Sequence, residues 1–188
     1  LVRYKGETIV KTPMDYNLAI EIAKDIISVP NCEVLLSGEK TAYIMPKTEE
    51  YLIRMTKVVQ YKTTIIKSLD EIQEDILKVS VCDLSGIANS EKYFADKWSD
   101  KAAAAVSGDQ YMDFMDLCVS KGDALKKVQK IYGIDRSECM AFGDNYNDCE
   151  MLKQAEFSYA MASAADDIKK NALYVTDSVE KILRGELL

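Results

Sequence analysis

Apolar and polar residues alternate in short runs through the first part of the chain and change rhythm near Leu117. Leu1–Tyr4 and Thr8–Val10 read as two strands about a turn at Lys5-Gly6-Glu7. A helical rhythm follows, with Leu18, Ile22, Ile26 and Ile27 on one face of a helix predicted from Tyr16 to about Ser28. Asp15 is placed to cap its start, and Pro30-Asn31 closes it. Glu33–Ser37 and Thr41–Met45 alternate around Ser37-Gly38-Glu39-Lys40 as a hairpin, and a helix is expected from Glu49 to about Val59. Thr63–Lys67 and Ile76–Asp83 read as strands, with a short helical piece at Asp70–Glu74 between them. Ser90 is placed to cap a helix through Trp98, and Ala102–Val106 with Tyr111–Phe114 form a further hairpin around Gly108-Asp109.

Strands paired by hairpins with helices between them predict an antiparallel sheet carrying helices on one face, an α+β unit. From Val119 onward helices and short apolar strands alternate, as in a parallel α/β sheet, so a boundary is placed near Leu117. Tyr43, Tyr51, Tyr93, Phe94 and Trp98 stand at helical or strand spacing and read as core before they read as a pocket lining.

Composition narrows the possibilities. At 188 residues and 48% apolar content, the chain can bury one good core or two small ones. The net charge of −7 argues against a nucleic-acid footprint. No apolar run reaches membrane-spanning length. Cys32, Cys82, Cys118, Cys139 and Cys149 include no C-x-x-C pair, which fits reduced thiols and a cytoplasmic location better than a disulfide framework. Histidine is absent, which removes Ser-His-Asp triads, Cys-His dyads and His-ligated metals.

Two stretches carry candidate chemistry. Cys139-Met140-Ala141-Phe142 reads as a buried strand that turns at Gly143-Asp144 into a helix starting near Asn147. The ends of strands in open α/β sheets are where ligands collect. Asp144 and Asp148, four residues apart, are hard oxygen donors that suit Mg²⁺. They equally suit the amides and dipole of a helix N-terminus, and this alternative stays open. An EF-hand loop fails, because counting from Asp144 puts Tyr146 and Cys149 where a ligand and a glycine belong. Upstream, Ser120-Lys121-Gly122-Asp123-Ala124-Leu125 opens a helix running to about Tyr132 and stopping at Gly133. Ser120 and Asp123 approximate a capping box. Lys121 in the first turn opposes the helix dipole, which is reasonable if it neutralises an anion held nearby. No glycine precedes it at P-loop spacing.

The ordered set V-S-K-G-D-A-L, G-D-N-Y-N-D, Met151-Leu152-Lys153, Tyr159-Ala160-Met161-Ala162 and Val175-Thr176 resembles the haloacid dehalogenase-like (HAD) superfamily. The closer resemblance is to its Cof-type branch of sugar-phosphate phosphatases. It implies an α/β fold: the C-terminal part of a HAD-like parallel-sheet core, with an inserted α+β cap domain. Residues 1–12 become an outgoing core strand and hinge, residues 13–117 the cap, and residues 118–188 the core part. The resemblance also implies a Mg²⁺-dependent phosphatase of small phosphorylated metabolites, working through an aspartyl-phosphate. Lys121 then neutralises the phosphate as the catalytic lysine, and Asn147 donates a hydrogen bond to it. Asp144 becomes the direct metal ligand and Asp148 a second carboxylate on the metal side.

The pattern departs from the family where its nucleophile belongs. No D-x-D occurs in the sequence, nor a Ser or Thr before Gly-Arg; Ser37-Gly38-Glu39 is the nearest string and falls within the cap. The sequence opens at Leu1 rather than at a methionine, and the expectation is that the nucleophile segment is missing and this chain alone is inactive. Ala162-Ser163 stands where relatives carry Gly-Asn, and Lys5 where they often place Asn. A non-catalytic phosphate-binding or regulatory relative is the alternative, and an unrelated α/β protein with ordinary caps is a third.

Overall fold

The computed structural model describes residues 1–59 and 62–186. Residues 60–61, inside the expected cap, and 187–188, at the end of the expected core part, lie outside the described residues. Two compact units divide the chain: Lys11–Leu117 with Leu1, and Val2–Val10 with Cys118–Leu188.

The chain opens with β1 (Val2–Tyr4) and β2 (Glu7–Val10), an antiparallel hairpin. Lys5 (φ 50°) and Gly6 (φ 88°) both take positive φ, which the two-residue turns of twisted hairpins require.

The Lys11–Leu117 unit begins with α1 (Tyr16–Ser28), where Asp15 accepts the Leu18 amide at 2.9 Å. Its Ala19, Ile22, Ala23 and Ile26 are buried. Next come β3 (Cys32–Ser37), β4 (Ala42–Ile44) and α2 (Glu49–Ile53), which runs on into a π-helical turn, Arg54–Val58. Then follow β5 (Thr63–Ile65), β6 (Lys78–Asp83), α3 (Glu91–Trp98), β7 (Ala103–Gly108) and β8 (Tyr111–Met115). The sheet order is β5-β4-β3-β6-β8-β7. Strand alternation divides its faces. Val34, Leu36, Val79, Val81, Met112 and Phe114 join α1, Phe94 and Trp98 in the main core. Leu35 and Cys82 on the other face meet Tyr51 and Met55.

Sequence and structure differ in places here. The sheet is antiparallel except between β4 and β5, which pair in parallel. The crossover through α2 and the π-helical turn returns the chain in the same direction, as a parallel pairing demands. Ser90 stands at the N-cap position of α3 without capping it: its hydroxyl turns to the buried Asp83 carboxylate at 3.1 Å. Of the five aromatics assigned to core, Tyr51, Phe94 and Trp98 are buried and Tyr43 is half-buried, whereas Tyr93 is exposed and donates to Asp25 at 2.9 Å.

The other unit continues with α4 (Lys121–Tyr132), β9 (Met140–Gly143) and a 3₁₀ turn, Tyr146–Asp148, leading into α5 (Cys149–Gln154). Then come β10 (Phe157–Met161), α6 (Asp166–Lys169), β11 (Tyr174–Thr176) and α7 (Val179–Leu183). The three strands are parallel, in the order β11-β10-β9. Ala141, Leu152 and Ala155 form the buried cluster, and Tyr4 of the opening hairpin packs edge-on against Tyr132 with ring centroids 5.5 Å apart. Gly133 takes the left-handed conformation (φ 64°) that ends α4. All five cysteines are free thiols. No helix among the described residues is long and apolar enough to cross a membrane.

Candidate functional site

β9 delivers the chain to a corner where two elements approach closely. A Cβ on Gly143 would lie 2.5 Å from Asp148 Cβ, so the absence of a side chain lets the following turn fold back over the strand end. Asn145 caps that turn, accepting the Tyr146 amide at 2.8 Å. Asp148 Oδ2 reaches back to the amides of Asp144 (3.0 Å) and Asn145 (3.1 Å).

The other oxygen of Asp148 receives the Lys121 ammonium in a short ion pair. Lys121 reaches it from the first turn of α4, whose start is fixed by Ser120 accepting the Asp123 amide at 3.0 Å. Only this half of the expected capping box is made with the backbone; the Asp123 carboxylate pairs with Lys127. Gly122 sets the approach of α4 to α5. A Cβ there would meet Glu150 Cβ at 2.6 Å and the Glu150 carbonyl carbon at 2.7 Å. Lys121 also donates to Asn147 Oδ1 at 3.4 Å.

Burial and charge separate the roles. Asp148 is buried (3% exposed), while Asp144, Asn145, Tyr146 and Asn147 are exposed and the Lys121 side chain is half exposed. Burial pushes the Asp148 carboxyl up, but the Lys121 ammonium and the two amides outweigh it and hold it below the ordinary carboxylate range. Both Asp148 oxygens are thus engaged within the protein. The Asp144 carboxylate stands open at the end of β9, with no hydrogen-bond or ion-pair partner among the described residues. Among the described residues no group of three or more acidic or cysteine side chains is gathered as a metal cage. One open carboxylate still fits Mg²⁺, which takes one or two carboxylates and fills its remaining positions with water and phosphate.

The structure therefore brings Lys121, Asn147 and Asp148 into contact, with Asp144 beside them on the same turn. Sequence reasoning missed Asn145, although its spacing to Asp148 is that of a capping box. It also passed over Tyr146, whose hydroxyl donates to Asp167 at 2.9 Å and ties the turn to α6. That bond raises the Tyr146 phenol above its usual range.

Comparison with known proteins bears on the family of the chain. A family model described as haloacid dehalogenase-like hydrolase matches residues 1–182. The 5-amino-6-(5-phospho-D-ribitylamino)uracil phosphatase YbjI of Escherichia coli (strain K12) is 25% identical over 97% of this chain and 71% of that protein. Its namesake YwtE of Bacillus subtilis (strain 168) is 35% identical over 44% of this chain and 29% of that protein. The crystal structure of SMU.1108c from Streptococcus mutans UA159 superposes with a TM-score of 0.77 at 26% identity, covering 97% of this chain and 71% of that one.

Proposed function

The chain belongs to the haloacid dehalogenase-like hydrolase family, and from that premise we propose that the whole protein is a Mg²⁺-dependent phosphatase of small phosphorylated metabolites, sugar phosphates foremost. The observation that carries this reading is the convergence of Lys121 and Asp148, 27 residues apart in sequence, beside the open carboxylate of Asp144. A cation and a hard-ion ligand on adjoining elements supply the charge compensation that phosphoryl transfer needs. The similarity to YbjI and YwtE, phosphatases named for a phosphoribityl compound, supports the substrate class.

Residues 1–188 contain no D-x-D, so the phosphoryl-accepting aspartate comes from outside them. Its carboxylate oxygen attacks phosphorus, the bond to the sugar oxygen breaks, and that oxygen takes a proton from a second aspartate. Water then hydrolyses the aspartyl-phosphate. Within this chain, Lys121, whose side chain is half exposed, neutralises the phosphoryl oxygens with its ammonium. Asn147 turns its carbonyl oxygen to Lys121, which leaves its NH₂ to donate to the phosphate. Asp144 would hold Mg²⁺, which when bound offsets charge on the phosphoryl oxygens. Asp148 serves on the metal side by position, holding Lys121 and the Asp144 amide in register.

Steady-state kinetics of the full-length protein on a panel of sugar phosphates, with Mg²⁺ and with EDTA, test the reading. Lys121→Ala and Asp144→Asn should each lower kcat/KM by about 10²–10³-fold. The polypeptide 1–188 alone should release no phosphate. Turnover insensitive to EDTA and to both substitutions would overturn the proposal. Binding of phosphate esters without turnover by the full-length protein would instead favour a regulatory relative.

A further inference from the structure

Among the described residues, two buried side-chain polar atoms lack a hydrogen-bond partner: Ser37 Oγ and Arg54 Nε. An N–H removed from water without an acceptor is destabilising, and such an atom in a folded protein calls for a reason. Both residues line clefts in the Lys11–Leu117 unit, and both clefts share Tyr111. The cleft at Arg54 has a volume of about 460 Å³ and is bounded by Ser85, Gly86, Gly108, Asp109 and Gln110.

Arg54 is unusual in its backbone as well as its side chain. It opens the π-helical turn, with the Val59 amide bonded to the Arg54 carbonyl at 2.9 Å. Such turns occur mostly as single-turn bulges, frequently at functional sites. Its guanidinium carbon lies 5.8 Å from the centroid of the Tyr111 ring, so one planar face is spent on the aromatic. No aspartate or glutamate pairs with it among the described residues. The hydrogen-bonding fork of an arginine is built to grip an oxyanion with two parallel N–H bonds. Here Nε is buried without an acceptor in the protein, and the residue lines the cleft.

The rest of the lining restricts what can fill it. Most polar groups there are already satisfied: Gln110 donates to the Leu84 carbonyl at 2.7 Å, Ser85 to Asp83 Oδ1, and the Asp109 carbonyl receives the Ile87 amide at 2.8 Å. Asp109 lines the same cleft as Arg54 and brings a carboxylate to it. One cation and one anion sum to no net charge, which disfavours a polyanion. We infer that this cleft binds a small molecule with a single oxyanion group, carboxylate or phosphate monoester, seated on the Arg54 fork, and a hydroxyl or amine that donates to Asp109. The site is built from the Lys11–Leu117 unit alone and does not depend on the phosphatase reading.

The test is an NMR titration of the ¹⁵N-labelled protein with sodium phosphate and, separately, sodium acetate at constant ionic strength, following the amides of Gly86, Gly108 and Tyr111. Saturable shifts at these amides are expected with at least one anion, and the anion that binds more tightly identifies the oxyanion class. The shifts should persist in Lys121→Ala, which removes the ammonium of the other unit. They should weaken at least about tenfold in Arg54→Gln, as expected for loss of a charge-assisted fork. Arg54→Lys keeps the stem and the charge, so it guards against a folding defect and should bind more weakly than the parent. Absence of saturable shifts at these amides with either anion in the unsubstituted protein overturns the inference, as does unchanged affinity in well-folded Arg54→Gln.

Discussion

Asp144 and Asp148 are the same residue type four positions apart, and their surroundings set them to different work. Asp148 is buried under three donors and Asp144 is open to solvent. Asp148→Asn should therefore destabilise the protein by about 1–3 kcal/mol, since a charged acceptor is lost inside the fold. Asp144→Asn should leave the melting temperature nearly unchanged while abolishing any rise in it on adding Mg²⁺. Thermal melts of both variants with and without the ion distinguish the two outcomes; equal destabilisation would count against the assignment. Gly122→Ala is expected to cost about 1–3 kcal/mol, the price of overpacking, because the nearest atoms include the Glu150 backbone, which has little room to yield. The lysine and both aspartates were visible in the sequence as separate candidates. The resemblance implied that they share a site, but the direct Lys121–Asp148 ion pair was not legible, because nothing local to Lys121 encodes a partner 27 positions away.

At the scale of elements, signals confined to a few neighbouring residues were legible. α1 behind Asp15 and α4 between Ser120 and Gly133 lie where caps and periodicity place them. What depended on the path of the chain was hidden: the parallel β4–β5 pairing, the π-helical turn that completes α2, and the diversion of Ser90 to Asp83. The same holds for the tie between α1 and α3. Asp25 accepts from Tyr93, Lys97 and the Trp98 indole (2.8 Å), all of them far along the chain. Burial pushes the Asp25 carboxyl up, but these three donors together bring it below its ordinary value. A depressed carboxyl contributes stability above its unfolded pKa, and that contribution disappears as pH falls through the folded value. Stability of the α1–α3 junction should thus fall below about pH 4, reported by the fluorescence of Trp98, the sole tryptophan. Asp25→Asn should flatten that acid limb; an unchanged limb would show that the tie contributes nothing.

Across the whole molecule, burial is unequal. The Lys11–Leu117 unit encloses Phe94, Phe114, Ile22, Ile26 and Leu36 in a broad core, whereas the other unit gathers a smaller set, Ala141, Leu152 and Ala155 in one cluster with Tyr159, Ala160, Ala164 and Ile168 also buried. Leu173 (61% exposed) and Val175 (54% exposed) face outward, and β9 ends its sheet. Amide exchange should be slowest in β3, β6 and β8 and at least about tenfold faster in β9 to β11. The polypeptide 1–188 expressed alone should self-associate through the apolar surface and open edge, visible as concentration-dependent light scattering; a monomer at high concentration would oppose this. The unit that carries Lys121 is also discontinuous: its opening hairpin packs against α4 through Tyr4 and Tyr132, and the whole of Lys11–Leu117 lies between. At roughly 5–20 residues per second on a ribosome, that interval takes about 5–20 s to synthesise. A two-stranded hairpin is marginal in water by itself. For those seconds the hairpin waits without its partner, so assembly of the Lys121 unit is timed by translation of the segment that interrupts it.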